Sequence, residues 1–120
     1  MRVLYIDDES DIREIAEIAL GLDPALEVRT AASAADALAV MQDWLPDLAL
    51  LDVMMPHMDG PALLSRLRTI ERYKRLPVIF VTARAQRSEL QNFAAMDAIG
   101  VIAKPFDPMT LADRVREIAG

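Results

Sequence analysis

Apolar positions along this chain keep two different rhythms in turn. Val3-Leu4-Tyr5-Ile6 is a short, β-rich apolar run that stops at two acids. Ser10 then stands where a helix cap belongs, and Ile12, Ile15, Ala16, Ala19 and Leu20 fall at i, i+3, i+4, i+7 and i+8, one stripe ending at Gly21. Leu26 to Thr30 alternates apolar and polar, as a strand does at the edge of a sheet. Ser33 opens a second helix with Leu38 and Met41 inward, broken before Pro46. Leu48-Ala49-Leu50-Leu51 is continuously apolar, the mark of a strand covered on both faces. After a loop, Pro61 suits the first helical position, with Leu63, Leu64, Leu67 and Ile70 behind it. Val78 to Val81 is another buried run, and Leu90, Phe93 and Ala94 stripe a fourth helix. Ile99 to Ala103 gives a fifth strand, and Asp107-Pro108 opens a last helix carrying Leu111, Val115 and Ile118.

This rhythm predicts an α/β protein of the (βα)5 kind, a doubly wound five-stranded parallel sheet. Consecutive parallel strands need crossover helices, which are right-handed in nearly every case. The alternating run at 26–30 belongs at an edge, which selects the strand order 2-1-3-4-5. No linker, low-complexity tract or further repeat interrupts the rhythm, so residues 1–120 are expected to form one domain.

Composition narrows the field. A chain of 120 residues with 53 % hydrophobic and 27 % charged residues can bury a core and is not a disordered sequence. Nineteen acidic residues against 13 basic ones leave a net charge of −6. That balance argues against direct nucleic-acid binding through phosphates and favours a cation or a basic partner surface. The absence of Cys removes disulfide and thiol chemistry and fits a reducing compartment. Met1 leads almost directly into a strand, with no room for a signal peptide, and no apolar stretch reaches the length of a membrane span. A cytoplasmic protein with no membrane partner is expected.

In doubly wound sheets, ligands bind beyond the carboxyl ends of the strands where strand order reverses, here between the first and third strands. The first strand delivers Asp7 and Asp8 to that place, the third Asp52, the fourth Thr82, and the fifth Lys104 before Pro105. Like charges about 4 Å apart repel by roughly 4 kcal/mol at an effective dielectric near 20, so converging carboxylates call for a counter-ion. Three carboxylates without His or Cys select a hard divalent ion, Mg²⁺, which takes oxygen ligands and keeps waters and phosphate oxygens. Asp8 and Asp52 are the natural direct ligands, with Asp7 binding directly or through water. A backbone carbonyl just past Asp52 can add another. A carboxylate beside such a cation is placed to attack phosphorus, with Lys104 and Thr82 positioned to hold the oxygens of the transferred group.

IDDE at 6–9, DVMMPHMDG at 52–60, VTA at 81–83 and AKPF at 103–106 together resemble the CheY-like receiver domain of two-component response regulators. The resemblance spans essentially the whole chain, with four motifs in order at the ends of four strands. It implies the flavodoxin-like, CheY-like fold, with Asp52 accepting a phosphoryl group from a phosphohistidine on a sensor histidine kinase or a histidine phosphotransfer protein. It further implies Asp7 and Asp8 as the Mg²⁺ pair, Met54 lending its carbonyl, Thr82 as the switch hydroxyl, and Lys104 preceding a cis peptide bond to Pro105. Family members also hydrolyse their own aspartyl phosphate slowly. They signal to a downstream effector protein or domain, commonly through the last helices and fifth strand. Small Ala83 would leave room for the donor, while Met54 and Arg84 occupy places that tune hydrolysis.

The chain departs from the pattern at Val101, where family members commonly carry Tyr or Phe coupled to the switch hydroxyl. The segment 84–98 is still expected to reorganise on phosphorylation, led by Thr82. His57, the only histidine, reads as a solvated loop residue, and Trp44 as partial packing. Met54, Met55 and Met58 read as packing around the loop. A haloacid-dehalogenase-type phosphatase would need a second acid where Met54 stands. A flavodoxin would not place IDDES against an anionic flavin phosphate, and no glycine-rich phosphate loop serves a nucleotide enzyme. The remaining alternative is a receiver-like module that binds proteins without phosphorylation.

Overall fold

Five parallel strands hydrogen-bond side by side in the order β2-β1-β3-β4-β5 in the computed structural model of the chain. It describes residues 1–84 and 86–120; Ala85, inside the segment expected to reorganise, lies outside the described residues. The strands are β1 (Arg2–Ile6), β2 (Glu27–Ala31), β3 (Leu48–Asp52), β4 (Val78–Thr82) and β5 (Gly100–Ala103). Between and after them run α1 (Ser10–Gly21), α2 (Ala34–Asp43), α3 (Gly60–Arg68), α4 (Arg87–Ala95) and α5 (Leu111–Ala119), with a short 3₁₀ turn over Glu71–Tyr73. The doubly wound sheet read from the apolar rhythm is therefore the fold of the chain, and the alternating strand β2 does occupy an edge.

Strand alternation divides the core in two. Val3, Tyr5, Leu48, Leu50, Ile79, Val81 and Ile102 face one side, packed with Ala16, Ala19 and Leu20 of α1 and Leu111 and Val115 of α5. Leu4, Ile6, Ala49, Leu51, Val78 and Phe80 face the other, against Met41 of α2, Leu63, Leu64 and Leu67 of α3, and Phe93 of α4. Every residue of β3 and of β4 is buried, as continuous apolar runs between two helical layers require.

The elements differ from the sequence expectation in five places, each with a local cause. Ser10 is the first residue of α1 and not its cap: Glu9 holds the cap position, and its amide donates to Asp7 Oδ1. Ile15 of the predicted α1 stripe is 41 % exposed, because the sheet is shared with α5 and cannot cover the whole stripe. Of the α4 stripe only Phe93 is buried, its ring tilted 46° to that of Phe80 with centroids 4.8 Å apart, while Leu90 and Ala94 stay exposed. The last helix begins at Leu111 because Asp107 first closes a turn, accepting from Met109 N through Oδ1 and from Thr110 N through its carbonyl. Trp44 is buried outright, with the guanidinium of Arg29 at 5.0 Å and that of Arg2 at 5.6 Å from its ring.

Candidate functional site

Register brings the acids together. Ile6 of β1 lies opposite Leu51 of β3, so the next residue on each strand, Asp7 and Asp52, emerges at the same level. Asp8 follows on the exposed rim, and one carboxylate oxygen from each of Asp7, Asp8 and Asp52 lies within 4.8 Å of the others. Thr82 ends β4 one step beyond the Asp52↔Val81 pair, and Lys104 N donates to the Thr82 carbonyl at 2.8 Å, which seats the lysine at the tip of β5. The bond between Lys104 and Pro105 is cis.

Asp7 is completely buried and pinned on every side. Its amide donates to the Ala31 carbonyl at 3.1 Å, and its carbonyl accepts from Arg13 Nη1 at 2.8 Å. Carboxylate oxygen Oδ1 takes the Glu9 amide at 3.0 Å, while Oδ2 takes both the Tyr5 hydroxyl at 3.0 Å and Lys104 Nζ at 2.8 Å. The same ammonium reaches Asp52 Oδ1 at 3.3 Å, so one cation bridges two buried acids. Asp52 Oδ1 also accepts from the Met54 amide at 3.3 Å. Both of these contacts fall on Oδ1, and among the described residues Oδ2 of Asp52 has no hydrogen-bond or ion-pair partner.

Electrostatics follow from this crowding. Burial and then the Asp7 charge push the Asp52 carboxyl up to about 6, against which Lys104 pulls down only in part. Burial alone would lower Lys104, but the hydrogen bond and charge of Asp7, with Asp52 behind it, hold its ammonium above the ordinary value. The donor set fits a hard dication: oxygens only, gathered on one side, with Lys104 the one cation paired to the two buried carboxylates among the described residues and an exposed third acid on the rim.

The loop after Asp52 is held by a close approach. A methyl at Gly60 would sit 2.5 Å from the Asp52 carbonyl oxygen, so only glycine lets α3 begin against the end of β3. Gly60 N donates to Val53 O, and Asp59 caps α3 by accepting from Ala62 N at 2.8 Å. Met54 presents its side chain outward, 66 % exposed, and His57 sits exposed in the same loop with φ of 69°. Of the residues singled out in the sequence, Asp7, Asp8, Asp52 and Lys104 converge. Thr82 is buried next to them, but its Oγ1 accepts from Arg84 N at 2.9 Å and is engaged with its own loop. Sequence reading missed Tyr5, counted there as one more apolar strand residue. The signal was the strand period itself, which puts residues 5 and 7 on one face.

A parallel doubly wound sheet with acids from two adjacent strand tips and a lysine bridging them defines a class of site suited to a divalent cation and a phosphoryl group. The chain belongs to the response regulator receiver domain family, whose model matches residues 3–116. It is 35 % identical to Response regulator Rre1 of Synechocystis sp. over 97 % of this chain and 50 % of that protein. It is also 35 % identical to the probable transcriptional regulator ycf27 of Cyanophora paradoxa over 98 % of this chain and 47 % of that protein, so it spans about half the length of these relatives. Among solved structures, chemotaxis response regulator CheY4 of Vibrio cholerae superposes with a TM-score of 0.87 at 33 % identity, covering 98 % of this chain and 97 % of that one. A putative response regulator from Chloroflexus aurantiacus gives 0.85 at 35 % identity, covering 98 % and 95 %. The chain is thus a receiver domain of two-component signalling with the acidic pocket typical of the family. Among the described residues no helix is long and apolar enough to cross a membrane.

Proposed function

We propose that residues 1–120 act as a phosphorylation-dependent switch in which Asp52 accepts a phosphoryl group from a phosphohistidine with Mg²⁺ at Asp7, Asp8 and Asp52. The observation that carries this reading is the gathering of three carboxylate oxygens within 4.8 Å, two of the acids buried, beside one lysine. Asp8 and Asp52 would hold the ion directly, Asp7 directly or through water, and Met54 through its carbonyl. Bound there, Mg²⁺ supplies charge neutralisation for the carboxylates and for phosphoryl oxygens.

The chain's own groups do the rest. Asp52 Oδ2 forms the new bond to phosphorus as the bond to the imidazole nitrogen of the donor breaks, and the electron pair leaves with the imidazole. Lys104, released from Asp52 Oδ1 as that carboxylate becomes an acyl phosphate, moves onto a phosphoryl oxygen. Thr82 Oγ1 leaves Arg84 N to donate a second hydrogen bond, which alters the loop leading into α4. Attack of water on phosphorus then slowly breaks the Oδ2–P bond, releasing inorganic phosphate and restoring the Asp52 carboxylate. Beside the site, Ile12 and Ile15 of α1 with Ala83, Pro105, Phe106 and Pro108 line an apolar hollow of about 270 Å³, a surface on which a donor kinase or phosphotransfer protein could rest. The downstream effector would read the α4–β5–α5 side.

Incubation with a small acyl phosphate and Mg²⁺ tests this: one base-labile phosphoryl group should appear on the intact protein, and chelation should prevent it. No incorporation under those conditions would favour a module that binds proteins without phosphorylation.

A further inference from the structure

β1 carries one residue whose polar end the proposed chemistry does not use. Val3, Leu4 and Ile6 fill the core with aliphatic side chains, yet position 5 places a phenol there, with no exposed surface at all. A buried hydroxyl must find a partner or lose the full cost of its desolvation. Its partner is Asp7 Oδ2, at 3.0 Å. Residues two apart on a strand share a face roughly 6.6 Å apart, about the reach of a phenol, so the strand itself sets the hydroxyl under the carboxylate. The ring is fixed from the side by the edge of Phe106, at 6.4 Å between centroids and 86° between planes. Phe106 lies two residues beyond Lys104, the other donor to Oδ2.

We propose that Tyr5 is a positioning residue of the cation site, holding Asp7 Oδ2 from below so that Oδ1 is the oxygen Asp7 offers to Mg²⁺. The inference rests on the magnesium reading above and deepens it. Three of the four lone-pair positions on Asp7 are occupied, one on Oδ1 by the Glu9 amide and two on Oδ2 by Tyr5 and Lys104. Lys104 is the donor that phosphorylation draws away, since it already straddles Asp7 and Asp52. Tyr5 is then the side chain that stays on Oδ2, and Asp7 keeps its orientation through the cycle. Outer hydrogen bonds of this kind orient metal ligands, and their loss weakens metal affinity.

The experiment pairs calorimetric Mg²⁺ titration of wild type and Tyr5→Phe with near-ultraviolet difference spectra of wild type. Phe keeps the ring and its contact with Phe106 and removes only the hydroxyl. The variant should bind Mg²⁺ about tenfold more weakly, and its deficit in phosphorylation by a small acyl phosphate should narrow as Mg²⁺ is raised. In wild type, Mg²⁺ should perturb tyrosine absorption with the calorimetric midpoint, and the signal should vanish in Tyr5→Phe. The only other tyrosine, Tyr73, donates to the Met41 carbonyl in the opposite core layer and serves as the silent reference. Affinity within twofold of wild type, or a tyrosine signal that persists in the variant, would overturn the role of Tyr5. Absence of Mg²⁺ uptake by wild type would overturn the magnesium reading and this inference with it.

Discussion

Helices α3 and α4 each follow a fully buried central strand and each span nine residues, yet they are held very differently. α3 buries Gly60, Leu63, Leu64 and Leu67, is capped by the Asp59 side chain, and starts pressed against the Asp52 carbonyl. α4 buries Phe93 alone and has no side-chain cap. Asp7 and Asp52, the buried acids of the proposed chemistry, thus sit on the well-packed side. The hydroxyl expected to move, on Thr82, leads into the helix with the least to lose by moving. Val101 adds to this looseness: with Leu90, Ala94, Ala98, Ile99 and Gly100 it lines an open hollow of about 300 Å³ between α4 and β5.

Asp52→Asn cuts deepest into this contrast, because it should abolish phosphoryl incorporation while leaving α3 in place. Ionisation of Asp52 carries a cost in the metal-free fold: its proton is held more tightly folded than unfolded, so stability falls as pH rises toward and past about 6. Metal-free Asp52→Asn should therefore melt higher than wild type at neutral pH, with the gap closing below pH 6. Lys104→Ala removes the one cation bridging Asp7 and Asp52 and should slow phosphorylation by about 100-fold, measured as the initial rate with a small acyl phosphate.

The packing side of the comparison is tested by denaturant unfolding. Leu64→Ala should cost about 2–5 kcal/mol, as removal of a fully buried leucine does. Leu90→Ala, at a position 39 % exposed, should cost no more than about 0.5 kcal/mol. Equal losses would break the contrast between the two helices. Magnesium affinity should decline as pH falls through about 6, because a protonated Asp52 gives up its place as a ligand. The subtlest effect belongs to Thr82→Ala, which should still accept a phosphoryl group. Hydrogen exchange with a phosphoryl mimic should show altered protection in α4 of wild type, little in α3, and neither in that variant.

Much of the fold was legible because the helices carry a period-3.6 stripe, and the buried runs of β3 and β4, which have no period of their own, are too short for helices and stand between helical stripes. Helix ends were the weak point. Ser10 has the residue type of a cap, but the helix starts one residue sooner, with Glu9 at the cap position, no side-chain cap, and the Glu9 amide donating to Asp7. The α4 stripe was over-read because periodicity shows which face could be buried, not how much core is there to bury it. In the site, the acids and the lysine were visible as strand-end residues. The direction of the Thr82 hydroxyl depends on a single turn amide at Arg84, which no pattern in the sequence encodes. Tyr5 was hidden by its own duality, since a phenol in an apolar run counts as core until its hydroxyl finds a carboxylate.

The most direct measurement is to trap the acyl phosphate chemically, by borohydride reduction after treatment with a phosphodonor and Mg²⁺, and to map the converted residue by peptide mass spectrometry. The account predicts homoserine at position 52 and nowhere else, appearing only when Mg²⁺ is present. Homoserine at position 7 or 8, or none at all in protein that demonstrably binds Mg²⁺, would contradict it.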